Sequence, residues 1–153
     1  MAGFVFLDST PLWLACKPPG QPDADACRAW LTSLEMARIL VVIPEIVDYE
    51  VRRELIRSGA TAGLARLDGL LARFPLLLLD RDTMLLAANF WATVRRAGLV
   101  TAADNALDGD AILAAQARTA VGDGNIATVA TGNVKHLARF PGIDAREWKD
   151  IAK

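Results

Sequence analysis

Short apolar runs alternate with longer amphipathic segments along the chain. The runs occupy residues 3–8, 38–43, 76–79 and 126–130. They lack the alternating polar face of a half-exposed strand, which is typical of parallel strands that are covered on both faces. Segments with helical spacing, or with helix start and stop residues, occupy about 23–36, 44–57, 61–74, 83–98 and 108–121. A last segment at 143–148 is suited to an edge strand.

This order of segments predicts the fold class. Strands that are separated by helices of about ten or more residues form a mostly parallel sheet between helical layers. We therefore expect an α/β fold, a three-layer α/β/α sandwich with a central, mostly parallel sheet of four or five strands. A length of 153 residues fits one domain over residues 1–153.

Composition adds limits on function. The chain is 53% hydrophobic and 23% charged, as in ordinary globular proteins, and its net charge of −1 argues against coating nucleic acid through bulk positive charge. Cys16 and Cys27 fit neither a redox motif nor a zinc site, so we expect buried or half-buried free thiols in a reducing compartment. The apolar runs are too short to span a bilayer. We expect a soluble, cytoplasmic protein with no membrane partner.

Acidic residues lie where the predicted topology brings chain segments together. Asp8 ends the first strand, Glu50 lies on the helix after the second strand, and Asp108 and Asp110 open the helix before the fourth. Two carboxylates about 5 Å apart repel by roughly 3 kcal/mol at an effective dielectric of about 20, so several converging carboxylates need a cation or a proton. Oxygen donors without a matching His or Cys set favour Mg²⁺ or Mn²⁺.

The same acids have structural interpretations. Asp108 and Asp110, taken alone, favour a helix cap, and Glu50 suits a solvated helix face. A calcium-binding loop that starts at Asp104 is excluded, because Ala115 stands at the twelfth position, where an EF-hand needs a bidentate Glu. The individual residues therefore leave capping and metal binding open.

Four stretches, taken together and in order, resemble the PIN-domain family of nucleases, the fold of VapC-type toxins. They are FLDST, IPEIVDYEVRREL, DGDAILAAQA and VATGNVKHLARFPGID. The resemblance places the family's acids at Asp8, Glu50 and Asp110. At the fourth acidic position this chain carries Asn133, two residues after Thr131, which offers an oxygen without a charge.

The resemblance implies Mg²⁺- or Mn²⁺-dependent cleavage of RNA that leaves a 5′-phosphate and a 3′-hydroxyl. The catalytic residues would be Asp8, Glu50, Asp110 and Asn133. Asp8, Asp110 and Glu50 would bind the metal, with Asp108 as a supplementary ligand. The resemblance also allows a cognate antitoxin protein as partner and favours a homodimer.

Basic and hydroxyl side chains near these acids are candidates for binding the RNA backbone. The expected substrate contacts are Ser9, Arg52, Thr131 and Lys135. His136, the only histidine, has no second His with which to form a zinc site, so a structural role is favoured.

Two other functions fit some of the same residues. Haloacid-dehalogenase-like and receiver-like phosphotransfer proteins also end strand one in Asp and bind Mg²⁺. Thr10 stands where the dehalogenase type needs a second Asp, however, and the receiver's acid pair and late Lys are not visible in the sequence. The other alternative is a PIN-like domain that is weakened in catalysis by Asn133 and serves to bind RNA or a protein.

Overall fold

Five parallel strands form the centre of the molecule. The computed structural model describes residues 3–98 and 106–152. The strands are β1 (Phe4–Leu7), β2 (Leu40–Pro44), β3 (Leu76–Leu77), β4 (Ala127–Thr131) and β5 (Ile143–Glu147). They lie in the order β3-β2-β1-β4-β5, and each neighbouring pair is parallel. The predicted α/β class is confirmed, with the sheet at five strands.

Helices connect the strands. In the described part of the chain they are α1 (Ser9–Ala15), α2 (Pro22–Met36), α3 (Glu45–Arg57), α4 (Thr61–Arg73), α5 (Arg81–Arg96), α6 (Leu107–Val121) and α7 (Val134–Leu137). Local signals explain several ends: Pro22 occupies the first turn of α2, and the Asp80 carboxylate caps α5 by accepting a hydrogen bond of 2.8 Å from the Thr83 N–H. None of these described helices is both long and apolar enough to cross a membrane.

The central strand β1 is buried on both faces. Phe6 and Leu7 point to opposite sides of the sheet, and neither is exposed. The larger buried cluster includes Phe6, Leu7 and the touching rings of Trp30 and Trp148, while a smaller cluster between α5 and α6 includes Phe90. This double coverage explains the continuous apolar sequence of the strand. Cys16 and Cys27 are free and buried, as expected.

The sheet is extended from β1 in two directions: β2 and β3 follow on one side, and β4 and β5 on the other. β1 lies between β2 and β4, and its last residue, Leu7, is in register with Ala130 of β4. The Asp8 N–H continues this pairing by donating to the Ala130 carbonyl over 2.9 Å. Open parallel sheets bind ligands in the crevice beyond the carboxyl ends of the strands where the strand order reverses in this way. The ends of β1 and β4 therefore mark the first place to look for a site.

Candidate functional site

Asp8 is fixed at the carboxyl end of β1. The residue is buried, with 8% of its surface exposed. Its Oδ1 accepts a hydrogen bond of 2.7 Å from the Ser9 N–H, which makes Asp8 the N-cap of α1, and its Oδ2 accepts one of 2.7 Å from the Thr131 hydroxyl. Each carboxylate oxygen has two acceptor positions, so Asp8 keeps acceptor capacity for a further partner.

Thr131 and Asn133 connect the end of β4 to the same acid. The Thr131 hydroxyl donates to Asp8 and accepts a hydrogen bond of 2.8 Å from the Asn133 N–H. Thr131, a predicted substrate contact, is fully buried, and the contacts of its hydroxyl in this structure are with Asp8 and Asn133. The Asn133 amide nitrogen lies 2.8 Å from His136 Nδ1, so this side chain is also held in place.

Glu50 approaches from α3 and lies against the first turn of α6. A Cβ added to Gly109 would come within 2.8 Å of Glu50 Oε1, so the absence of a side chain at Gly109 makes room for the carboxylate. Burial raises the pKa of Glu50, the negative charge of Asp8 raises it further, and the positive charge of Arg53 lowers it. Glu50 and Asp8 are therefore close enough to interact electrostatically.

Asp110 extends the acidic group from α6. Its side chain is 14% exposed. Burial, reinforced by the negative charges of Asp8 and Glu50 and opposed by Arg139, raises the pKa of Asp110 to about 7. The carboxylates of Asp8, Glu50 and Asp110, referred to below as the acidic cluster, thus come from the end of β1, from α3 and from α6. The sequence prediction named these three residues.

A buried arginine faces Asp110. The Arg139 Nη2 lies 3.4 Å from Asp110 Oδ2, and Arg139 Nε donates a hydrogen bond of 2.8 Å to the His136 carbonyl. The Arg139 side chain is 8% exposed, and its guanidinium lies over the Phe140 ring. His136 Nδ1 is 3.7 Å from the same oxygen of Asp110. The connection between β4 and β5 therefore supplies basic groups to the acidic cluster.

Asp108 occupies a different position from Asp110. It is exposed and lines a groove with Glu50 and Arg53. The N-cap of α6 is Ala106, which makes no side-chain capping hydrogen bond, so the interpretation of Asp108 as the cap is wrong. Both acids lie in the first turn, where negative charge is favoured by the helix dipole. Asp104 lies outside the described residues.

The acidic cluster is not a closed metal site in this structure. Within residues 3–98 and 106–152, no group of three or more His, Cys, Asp and Glu side chains is arranged to hold a metal ion. Asp8 and Glu50 nevertheless lie close enough to Asp110 to raise its pKa by their negative charges.

The expected substrate contacts are distributed unevenly. Ser9 lines a groove between α1 and α3, and Lys135 is exposed two residues after Asn133. Arg52 makes ion pairs of 3.0 Å with Asp48 and 2.9 Å with Asp68, so its guanidinium is engaged away from the acidic cluster. The exposed arginine beside Glu50 is instead its neighbour Arg53. The groove residues are Ser9, Thr10, Trp13, Glu50, Val51, Arg53, Glu54 and Arg57.

Gln116 is a supporting residue that the sequence reasoning missed. It is 1% exposed, and its Oε1 accepts a hydrogen bond of 3.2 Å from the Ile46 N–H in the first turn of α3. Its Nε2 donates to the Leu77 carbonyl over 2.7 Å. Gln116 thereby ties α6 to the start of the helix that carries Glu50. The available signal was a single amide within the apolar sequence AILAAQA.

The fold is shared with solved structures that have low sequence identity to the chain. VapBC2 from Rickettsia felis, bound to a DNA fragment from their promoter, matches with 17% identity and a TM-score of 0.71, over 95% of this chain and 98% of that chain. DNA-bound VapBC from Salmonella typhimurium matches with 20% identity and a TM-score of 0.63, over 97% of this chain and 99% of that chain. FitAcB from Neisseria gonorrhoeae matches with 19% identity and a TM-score of 0.70, over 96% of this chain and 99% of that chain.

A sequence-family comparison identifies the family. No curated protein sequence is significantly similar to the chain. The family model described as PIN domain, however, matches residues 5–133. That match runs from β1 to Asn133 and includes all three acids of the cluster. The chain therefore belongs to the PIN domain family, as its four acidic and polar stretches predicted.

Proposed function

We propose that this protein is a Mg²⁺- or Mn²⁺-dependent endoribonuclease and acts as the toxin of a toxin–antitoxin pair. The observation that carries the proposal is the meeting of Asp8, Glu50 and Asp110 at the strand-order reversal of a PIN domain, where burial and mutual repulsion raise the pKa values of Glu50 and Asp110. Buried like charges of this kind are typical of functional sites.

The chemistry of the donor set fits a hard divalent cation. All three groups are carboxylates, and their repulsion would be relieved by a positive ion that binds between them. Asp8 Oδ2 accepts one hydrogen bond, from the Thr131 hydroxyl, and keeps a further acceptor position, and the Asp110 carboxylate has longer contacts, with Arg139 at 3.4 Å and His136 at 3.7 Å. When bound, such an ion lowers the pKa of a coordinated water and offsets negative charge on the phosphate in the transition state.

Each residue then has a distinct role. Asp8 and Asp110 would hold the ion, directly or through water, and exposed Asp108 would supplement them from the neighbouring groove. Glu50, whose raised pKa suits it to accept a proton, orients and deprotonates the attacking water. The water oxygen would form a bond to phosphorus, with its proton passing to Glu50, while the bond between phosphorus and the 3′ oxygen breaks. The 3′ oxygen would take a proton from solvent, so that the products are a 5′-phosphate and a 3′-hydroxyl. The amide of Asn133 orients a water or a ligand of the ion.

The RNA backbone needs positive charge next to this anionic site. Arg53 lies beside Glu50 in the grooves that border the acidic cluster, and Lys135 is exposed next to Asn133. We assign the phosphate contacts to these two residues, with the Ser9 hydroxyl as a further contact. Arg52 serves mainly to hold α3 against α4, since both of its ion-pair partners lie on those helices.

A small antitoxin is the proposed protein partner. The solved structures with this fold include VapBC2, VapBC and FitAcB. The resemblance to VapC-type toxins implies an antitoxin that binds near the acidic cleft. We propose that this chain forms a homodimer, works in the cytoplasm and is inhibited in the same way. Growth arrest on expression, relieved by co-expression of a neighbouring antitoxin gene, would support this role. Normal growth on expression of active enzyme would contradict it.

A cleavage assay on structured and single-stranded RNA tests the nuclease proposal. We expect wild-type protein to cut RNA with Mg²⁺ or Mn²⁺ and to lose activity in EDTA. Asp8→Asn and Asp110→Asn should each lower the rate by at least about 100-fold. The control is Asp123→Asn, which changes an exposed acid in the turn after α6 and should behave as wild type. Equal activity in all four proteins would refute the assignment.

The second candidate function is RNA or protein binding without cleavage. The neutral Asn133 at the fourth acidic position favours it, together with the lack of a closed metal cluster among the described residues. RNA binding that is unchanged by Asp8→Asn, in the absence of any cleavage, would establish this alternative. Cleavage that requires Asp8 and Asp110 would exclude it.

A further inference from the structure

Two grooves border Glu50, and Glu50 and Arg53 line both of them. One groove, between α1 and α3, is described above. The other has a volume of about 430 Å³ and lies between α3 and the start of α6. We refer to this second groove as the Tyr49 groove. Besides Glu50 and Arg53, its described lining includes Tyr49, Asp108 and the apolar side chains of Ile46 and Ile112.

Tyr49 presents an aromatic surface to this groove. The residue is 55% exposed, and the guanidinium carbon of Arg53 lies 5.1 Å from the centre of its ring. The two residues are four positions apart on α3, so they share one face of the helix. A tyrosine side chain has only two torsions, and the contact with the guanidinium restricts the ring further. The pair therefore forms a preorganised flat surface directly beside Glu50.

The charges of the Tyr49 groove favour a neutral ligand group over a phosphate. Its described charged residues are Glu50, Asp108 and Arg53, which are two carboxylates and one guanidinium. A phosphate placed there would be repelled by both carboxylates, whereas a neutral aromatic heterocycle would not be. A nucleobase is such a group, because it stacks on aromatic rings and on guanidinium planes.

We propose that Tyr49, with Arg53 against its ring, is the stacking platform for one base of the RNA, next to the phosphate that is cleaved. This inference rests on the proposed ribonuclease function and adds a base-binding site to it. The base stacks on the exposed ring, and the edge of the Arg53 guanidinium donates hydrogen bonds to the adjoining phosphate. Tyr49 thereby holds the strand so that the next phosphate reaches the acidic cluster.

RNA binding in EDTA tests the platform without requiring a metal ion or cleavage. The probes are fluorescent single-stranded RNAs of mixed sequence, about 12 nucleotides long, and binding is followed by anisotropy. We expect Tyr49→Ala to weaken binding roughly 5–100-fold, because one base loses its stacking partner. Tyr49→Phe, which keeps the ring, should recover most of the affinity.

The salt dependence of binding distinguishes stacking from charge. Tyr49→Ala should keep the wild-type slope of log Kd against log salt concentration, because a stacked base releases no counterion. Arg53→Met should reduce the magnitude of that slope by about 0.7, the contribution of one phosphate contact on a single strand. A reduced slope in Tyr49→Ala, with no loss of affinity at high salt, would show that the ring serves only to place Arg53 and would overturn the base-stacking role.

The control variant is Phe4→Ala. It removes another exposed aromatic ring, which lies at the amino end of β1, whereas Asp8 follows the carboxyl end of that strand. Phe4→Ala should bind RNA as wild type does. Thermal unfolding checks that each variant folds, and alanine at the exposed helical position 49 is a good helix former.

Removal of a base from the RNA tests the same contact from the other partner. In an RNA that spans a wild-type cleavage site, the nucleotides beside that site are replaced one at a time by an abasic residue. At the nucleotide that stacks on Tyr49, the abasic change should raise KM for wild type about as much as Tyr49→Ala does. It should then raise KM for Tyr49→Ala little further. Additive losses at every position would overturn the inference.

The outcomes separate this inference from the proposed nuclease. Wild-type RNA affinity in Tyr49→Ala would overturn the platform, and cleavage that depends on Asp8 would still leave the nuclease standing. Weakened binding in Tyr49→Ala, with no cleavage by wild type, would support the platform while the nuclease proposal fails. If wild type binds none of the RNAs, both fail.

Discussion

The Thr131 hydroxyl lies 2.7 Å from Oδ2 of Asp8, although the two residues are 123 positions apart in the sequence. The hydroxyl also accepts a hydrogen bond from the Asn133 N–H. The buried Thr131 oxygen therefore links the end of β1 to the end of β4 and to the loop that follows β4. This relationship fixes the direction of Asp8 before any ligand binds. It is the most direct structural reason to regard the end of β4 as part of the site.

Replacement of Thr131 by Val tests this positioning role. Val has a similar shape but no hydroxyl, so the Asn133 N–H loses its acceptor and Asp8 loses a donor. We expect a loss of about 1–3 kcal/mol in the free energy of unfolding and a 10–100-fold loss in Mn²⁺ affinity or RNA cleavage rate. Urea unfolding and metal titration measure the two effects. Thr131→Ser, which keeps the hydroxyl, should recover most of both; if it does not, the methyl group rather than the hydroxyl is what matters.

Gly109 offers a test in which activity and stability change differently. An added Cβ would meet Glu50 Oε1 at 2.8 Å, and the end of a glutamate side chain can move aside at little energetic cost. Alanine is also the better helix former by about 0.5–1 kcal/mol. Gly109→Ala should therefore keep or raise the Tm while displacing Glu50 and lowering the cleavage rate by roughly 10–100-fold.

The control for this prediction is Gly69→Ala in α4, where an added Cβ meets nothing within 4 Å. This variant should raise the Tm slightly and leave the rate unchanged. Full activity in Gly109→Ala would show that the position of Glu50 is not important for cleavage.

Gln116 should contribute to stability out of proportion to its size. Its two hydrogen bonds serve the Ile46 N–H and the Leu77 carbonyl, both of which lose a partner when the amide is removed. We expect Gln116→Met, which fills the same volume, to cost roughly 2–4 kcal/mol in the free energy of unfolding. Denaturant unfolding at neutral pH measures the loss. A cost below about 0.5 kcal/mol would mean that α3 does not depend on this support.

The pKa of Asp110 predicts how stability depends on pH without metal. Burial, with the charges of Asp8 and Glu50, raises this pKa to about 7, against an ordinary value of 3.8. Between these two values the folded state binds more protons than the unfolded state, so this contribution to stability is present below about pH 4 and is lost as the pH rises through about 7. In EDTA we expect a decrease on the order of 1–4 kcal/mol over this interval.

Asp110→Asn should remove most of that decrease, because the amide does not titrate. Urea unfolding in EDTA at pH 5 and pH 8 provides the comparison. Glu50, whose pKa is also raised by burial and by Asp8, contributes a smaller change of the same sign. An unchanged pH dependence in Asp110→Asn would show that its carboxylate is not held in the environment described here.

Local patterns in the sequence predicted the strands, whereas the choice of Asp8, Glu50 and Asp110 came from the resemblance to the PIN-domain family. The run FVFLD has apolar residues on both faces and ends in an acid, so it indicates a buried strand with a carboxylate at its end. Helix phase separates the predicted substrate contact Arg52 from its neighbour Arg53. Arg53 lies three residues after Glu50 and shares its grooves, whereas Arg52 lies four residues after Asp48 and pairs with it.

The contacts of Gln116 and Arg139 could not be predicted in the same way. The hydrogen-bond partners of Gln116, Leu77 and Ile46, lie 39 and 70 residues away in the sequence. The approach of Arg139 to Asp110 depends on how the loop after α7 folds back. Such contacts are set by tertiary packing, for which a single sequence has no periodic signal. The capping interpretation of Asp108 failed for a related reason, since α6 begins one residue earlier at Leu107.

Anomalous diffraction from crystals grown with Mn²⁺ would test the central claim most directly. The account predicts an anomalous peak that is coordinated by carboxylate oxygens of both Asp8 and Asp110, with Glu50 beside it. A peak elsewhere, or separate ions on Asp8 and Asp110 with no shared ligand position, would contradict the account.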